Sequence, residues 1–273
     1  MDQDTILQQL RQAVADLLPQ VDGVIALRKA GYSAVAHLYK AGDDLSDLTI
    51  AIGFPLPNTV RVIQAQYPDK TFGVVVRGCD ERQLVELAKR RQVDLDKLRL
   101  LGIACTPENA IACKCDRPFP KEAVVGEVVD GVPQTFLDGF LALPREQRLA
   151  FWKHAFSKCL KCYGCRNICP ECFCKECVLE DTLWVKTGNV PPPFPMFHLI
   201  RAMHTVGKCV ACGECDRACP ADIPLTTLYK LLRRDIENAF GYYAGADPKE
   251  APLMDSTVFL ADMDLLRPPR NEG

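Results

Sequence analysis

Two runs of cysteine set the chemistry this chain can perform. Cys159, Cys162, Cys165 and Cys169 follow the order C-x2-C-x2-C-x3-C-P, closed by Pro170, and fifty residues later Cys209, Cys212, Cys215 and Cys219 repeat it, closed by Pro220. In this spacing three thiolates on a tight loop grip one 4Fe–4S cube, and the fourth, ahead of proline, reaches across to the other cube. The crossed reading assigns Cys159, Cys162, Cys165 and Cys219 to one cluster, and Cys209, Cys212, Cys215 and Cys169 to the second. Small neighbours, Gly164, Ala211 and Gly213, let the loop backbone approach inorganic sulfide and donate N–H hydrogen bonds to it. Zinc is the competing reading, since C-x2-C pairs also build zinc ribbons, but zinc sites use pairs of pairs and not a third cysteine and a fourth before proline.

The chain has fifteen cysteines, so seven remain once these eight are assigned. Cys172, Cys174 and Cys177 follow directly behind the first motif, and Cys79, Cys105, Cys113 and Cys115 lie in the N-terminal half. The first three could supply most of a third cluster, with Cys113, Cys115 or one of Cys79 and Cys105 as the fourth ligand. Alternatively the N-terminal four form a site of their own. A lone cysteine in a strand is more often a small packed hydrophobe, which is the plain reading of Cys79 or Cys105 taken singly.

The elements that must hold these residues follow from hydrophobic period. Residues 5–18 read as an amphipathic helix, 24–27, 34–39, 48–52 and 71–76 as strands, and 58–66 as a helix. Over 72–105 a strand, a helix (81–91) and a second strand (98–104) form a βαβ unit with parallel strands. Asp80 is expected to cap that helix. Cys79 and Cys105 then sit at the carboxyl ends of strands, the edge where open α/β sheets place ligands. Residues 113–144 read as an irregular or hairpin connection, 145–157, 196–206 and 224–240 as helices, and 244–273 as an extended tail. The expected architecture is thus an α/β N-terminal domain over 1–112 with parallel strands, the connection, a mostly α-helical dicluster ferredoxin domain over 145–243, and the tail.

Composition narrows the function classes. With 33 basic and 35 acidic side chains the formal net charge is −2, which leaves no electrostatic footprint for nucleic acid. No apolar run is long enough for membrane insertion, and the acidic start lacks the order of a signal peptide; a cytoplasmic protein with reduced thiols is expected. Phosphate-cradling glycine loops and hydrolytic triads are absent. His198 and His204 precede Cys209 and could flank a cluster, although an ordinary helical role is the plainer reading. Lys158, Lys161, Arg166 and Lys208 flank the cysteines, where they could offset thiolate charge or simply be solvated.

Residues 145–240, with both motifs and the Cys219-Pro220-Ala221-Asp222-Ile223-Pro224 exit into a long helix, resemble the helical ferredoxin fold of the small subunits of heterodisulfide reductase and succinate dehydrogenase. The stretch Val74-Val75-Val76-Arg77-Gly78-Cys79-Asp80-Glu81-Arg82, with Leu101-Gly102-Ile103-Ala104-Cys105 and Phe156-Ser157-Lys158-Cys159, resembles the beta subunits of formate dehydrogenases and deazaflavin-coenzyme-reducing hydrogenases, and proteins that accompany heterodisulfide reductase. The resemblance implies an electron-transfer subunit of an anaerobic oxidoreductase complex, with two 4Fe–4S clusters and a third, working with other subunits and with ferredoxin or a flavoprotein. In flavin-containing relatives the α/β part holds FAD. Those relatives commonly carry the ferredoxin motifs ahead of that part, whereas here they follow it, and FAD stays open. An FAD enzyme reducing a nicotinamide or deazaflavin coenzyme, and an iron–sulfur sensor or scaffold, are the alternatives.

Overall fold

The computed structural model describes residues 3–253. The N-terminal half is a sheet between helices. Helix α1 (Gln3–Leu17) leads to the hairpin of β1 (Val24–Ala30) and β2 (Ser33–Tyr39), followed by the short β3 (Leu48–Thr49) and α2 (Pro57–Gln66). Then come β4 (Phe72–Arg77), α3 (Gly78–Lys89) and β5 (Leu98–Ile103). The strands lie in the order β2-β1-β4-β5, with β3 also paired to β1. β1–β4 and β4–β5 are parallel, while β2 and β3 run antiparallel to β1. The sheet is therefore mixed, with parallel strands at its centre. Strand alternation explains the layers: Val24, Ala26 and Val75 face Ile6, Leu10 and Val14 of α1, whereas Ile25, Leu27, Val74 and Val76 face Val60 of α2 and Leu84 and Leu87 of α3. The run Phe72–Arg77 is buried throughout, as a central parallel strand covered on both faces must be.

Two local expectations change. Asp80 is not the first cap of α3 but its third residue, and its carboxylate accepts from the backbone N–H of Arg77 in a capping box. The helix starts three residues earlier than the apolar period suggests, because Gly78 and Cys79 carry no periodic signal. The connection over 113–144 is also more ordered than an irregular loop. After α4 (Pro107–Ala112) it runs beside β5, with Val125 in a parallel bridge to Ile103, and it contains α5 (Thr135–Ala142). A Cβ at Gly102 would lie 1.9 Å from the carbonyl oxygen of Glu122, so the close approach of this segment to β5 requires glycine.

The second half is helical: α6 (Arg145–Ser157), the single turn α7 (Gly164–Asn167), α8 (Met196–Thr205), the single turn α9 (Glu214–Arg217) and α10 (Leu225–Phe240). Phe156, Phe197, Ile200, Ile223, Leu225 and Tyr229 make its core, and Cys159 is buried among them. Among the described residues no helix is long and apolar enough to cross a membrane.

The chain after α10 returns to the N-terminal half. Tyr242, Tyr243 and Ala244 are buried, and the carboxylate of Glu86 in α3, fully buried, accepts from Tyr242 Oη at 2.7 Å and from the Gly245 backbone N–H at 2.7 Å. Lys89 at 3.2 Å and Arg90 complete its shell. The remainder of the expected tail, 254–273, lies outside the described residues. Because Glu86 is the buried counter-charge of two cations, E86A leaves Lys89 only the more exposed Glu250 at 3.8 Å, and we expect a loss on the order of 3–5 kcal/mol in anaerobic chemical denaturation. Arg234→Ala removes only the exposed pair with Asp138 and should cost less than about 1 kcal/mol; equal midpoints for the two variants would refute the assigned role of Glu86.

Candidate metal centre

The two cysteine motifs fold into loops with the same backbone. In the first, Lys161 and Tyr163 take left-handed conformations (φ 53° and 60°); in the second, Ala211 and Gly213, at the matching positions, do the same (φ 54° and 81°). Each loop ends in one helical turn, α7 or α9. The alternation of handedness turns successive N–H groups inward, making a concave cradle for negative charge. The N–H of Lys161 donates to Cys159 Sγ at 3.4 Å, and that of Ala211 to Cys209 Sγ at 3.4 Å. Three of these four left-handed residues carry a side chain, which costs local strain and persists only where the surroundings impose it.

The loops face each other. A Cβ at Gly164 would meet the carbonyl of Ala218 at 2.8 Å, so the first motif can approach the residue before Cys219 only because position 164 is glycine. Cys159, Cys162, Cys165 and Cys219 line one pocket, together with Phe197 and His198. On the other side, Cys169 lies close enough to Cys209, Cys212 and Cys215 for its charge to act on each of them. Each fourth cysteine thus neighbours the three of the other motif. Burial pushes the Cys209 thiol up to about 11 and raises Cys212 and Cys215 well above the ordinary value. Such dry thiols stay protonated until a cation is present to stabilise the thiolates. Among the described residues no three Cys, His, Asp or Glu side chains converge as tightly as a single ion requires. The donor type and the backbone cradle fit two 4Fe–4S cubes.

The other seven cysteines fall into two groups. Cys79 sits in the first turn of α3 and Cys105 just beyond β5, on neighbouring strand ends. Cys105, pushed up to about 11 by burial, also feels Cys113 and Cys115, and Cys79 feels Cys105. The loop that carries Cys113 and Cys115 is pinned to α10: Lys230, 1% exposed, donates to the Lys114 carbonyl and, at 2.8 Å, to Gln134, while Arg233 pairs with Asp116 at 2.5 Å. This group lies against the second motif, since Cys212 and Cys79 pack on the same small core of Val210, Tyr242 and Ala244 and the charge of Cys79 acts on Cys212. Cys172, Cys174 and Cys177 instead line a separate cavity with Cys169. The two groups do not share a cavity lining.

Buried arginines join these parts, and cysteine spacing alone does not reveal them. Arg201 of α8, 3% exposed, donates to the Cys165 carbonyl at 2.6 Å and to Tyr229 Oη. Arg217 of α9 reaches Cys113 Sγ at 3.6 Å and the Cys212 carbonyl at 2.8 Å. Arg77, at the end of β4, pairs with Asp80 at 2.7 Å and faces Glu214 of α9 at 3.7 Å. A signal for Arg201 existed: it is the one Arg or Lys in the apolar helix Met196–Thr205. Of the flanking charges noted in the sequence, Arg166 pairs with Glu180 at 2.6 Å, Lys161 caps the Lys186 carbonyl at 2.6 Å and Lys208 lies over the Phe173 ring. His198 is buried and stacked on Phe156, and burial, with Arg201 nearby, lowers it to about 4, so it is neutral at pH 7. His204 is exposed.

Comparison with known proteins adds an independent line. No family model matches the chain. It is 35% identical over 145 residues to the F420-dependent formate dehydrogenase subunit beta of Methanocaldococcus jannaschii, a match covering 52% of this chain and 38% of that protein. It is 25% identical to the F420-dependent formate dehydrogenase 1 subunit beta of Methanococcus maripaludis, across 86% of this chain and 89% of the relative. A third match, 30% identical over 38% of this chain and 44% of the relative, is the succinate dehydrogenase iron-sulfur subunit of Bacillus subtilis. The chain therefore spans well under half the length of the first and third relatives. This chain is similar to formate dehydrogenase beta subunits and, over a shorter stretch, to a succinate dehydrogenase iron–sulfur subunit.

Proposed function

We propose that this chain is an iron–sulfur electron-transfer subunit of an oxidoreductase complex, of the kind its formate dehydrogenase relatives belong to, and that it relays electrons between a catalytic partner and a carrier or flavoprotein. The observation that carries this reading is the pair of matching loops, each with its fourth cysteine beside the other's three. The residues that would hold the clusters are Cys159, Cys162, Cys165 and Cys219, then Cys209, Cys212, Cys215 and Cys169. Of the two arrangements open for a third cluster, the geometry favours the N-terminal four, Cys79, Cys105, Cys113 and Cys115. When bound, a 4Fe–4S cluster exchanges one electron without bond changes. The chain's residues gather the thiols, exclude water from the Cys209 and Cys79 groups, and offset negative charge with Arg77, Arg201 and Arg217. Cys79 beside Cys212 makes the three sites one continuous path from the strand ends of the α/β half to the helical half.

A second reading, an FAD-containing subunit that reduces a nicotinamide or deazaflavin coenzyme, has one observation in its favour. An open cleft of about 1570 Å³ lies at the carboxyl ends of the strands, bordered by Cys105, Ala51 and Thr106. Its described lining includes the carboxylates of Glu108 and Glu127 and neither lysine nor arginine, which fits the pyrophosphate of FAD poorly.

Three outcomes test the proposal. In anaerobically reconstituted protein C169S should give the EPR losses of C209S; if it matches C159S instead, the crossed assignment fails. C105S should hold about four fewer iron atoms per chain than the wild type, the content of one cube, and an unchanged iron count would remove the third cluster from the N-terminal half. The chain alone should accept electrons from dithionite and show no formate or NADH oxidation; bound flavin together with coenzyme turnover would establish the second reading in its place.

A further inference from the structure

Three cysteines remain once the twelve above are assigned, and they share one place. Cys172, Cys174 and Cys177 fall within six residues and line a solvent-open cavity of about 290 Å³, whose wall also includes Cys169. Cys174 is exposed, while Cys172 and Cys177 are partly covered. Glu171 lines the same cavity, is 2% exposed, and has neither carboxylate oxygen in a hydrogen bond. A buried carboxyl with no hydrogen-bond partner is costly in any folded protein, even with Arg90 and Lys208 near enough to act on it, and its presence points to a group that this cavity accepts. Besides the Arg166–Glu180 pair, Arg61, Lys175, Arg201 and Lys208 stand around the cavity, enough positive charge to balance several thiolates. Three thiols and a carboxyl on one wall among cations make a donor set for iron and sulfide; an anionic organic ligand would leave the thiols without a role.

We propose that Cys172, Cys174 and Cys177 hold a fourth iron–sulfur cluster through three thiolates, leaving one iron corner to the Glu171 carboxylate or to solvent. This rests on the reading of the chain as an iron–sulfur protein and goes beyond the clusters assigned above. Cys169 belongs to the second-motif site and also walls this cavity, so the two sites adjoin, and Cys174, exposed as Cys162 is, opens this one to solvent. One electron enters from the neighbouring site and one leaves to a docked carrier, with no bond formed or broken.

The test compares full-length wild type, the triple variant C172S/C174S/C177S and the single variant C174S after anaerobic reconstitution with iron and sulfide. The wild type should exceed the triple variant by about four irons and four sulfides per chain. Mild ferricyanide oxidation should release the corner iron that lacks a thiolate, giving a three-iron EPR signal in the wild type that the triple variant does not show. C174S, altered at an exposed side chain, should lose the same iron even if the triple variant does not fold. The proposal is overturned if the triple variant or C174S keeps the wild-type iron and sulfide, or if the site's metal is zinc. A wild type that takes up no iron at all overturns the underlying reading; wild type and variants that retain equal iron overturn only the fourth cluster.

Discussion

The buried carboxylate of Glu214 holds the two halves of this protein in register. It lies inside the second cysteine motif, 1% exposed, with Arg217 at 2.9 Å on its own turn and Arg77 of β4 at 3.7 Å from the N-terminal half. A buried ion pair contributes little net stability because desolvation offsets the attraction, but it penalises every arrangement in which one partner is left alone. Here that penalty acts on geometry. Arg77 is also tied to Asp80 and to the Ala51 carbonyl, and Arg217 to Cys113 and Cys212. A shift of the helical half over the sheet would strand several charges at once, so Cys79 is kept beside Cys212.

A second set of contacts reinforces the first from the far side. Lys230 and Arg233 of α10 grip the loop of Cys113 and Cys115, and the chain beyond α10 folds back so that Tyr242 and Gly245 satisfy Glu86 of α3. Apolar contact is sparse along this seam: Val210, Tyr242 and Ala244 form its small core. Polar, directional contacts suit an interface that must define the separation of redox sites, since electron transfer depends on distance and hydrophobic packing alone tolerates sliding. The same seam contains Cys79 and Cys212, so rigidity and the proposed electron path coincide.

The cluster environment follows from opposing physical demands. Thiolates need positive charge and N–H donors, whereas slow solvent access favours dry walls. The loops meet the first demand with left-handed residues that turn N–H groups inward, and the arginines of β4, α8 and α9 supply charge from behind. Phe197, Ile223 and Tyr229 meet the second in the first-motif region. His198, neutral and stacked on Phe156, completes that apolar wall without adding charge.

Cysteine spacing by itself determined the two loops, because a C-x2-C-x2-C run can direct three thiols to one point only through a backbone that alternates handedness, and this is a local property. Strand and helix periods likewise predicted the βαβ unit and the strand-end positions of Cys79 and Cys105. The start of α3 and the helix within 113–144 were not legible, since the first depends on Arg77 and Asp80 closing a buried capping box and the second on Lys230 reaching Gln134 across 96 residues. The distribution of the seven remaining cysteines was decided by tertiary structure alone. Which thiols meet depends on long-range contacts, Glu214 to Arg77 and Lys230 to the Cys113 loop, and no spacing along the chain encodes the distance between segments that only folding brings together.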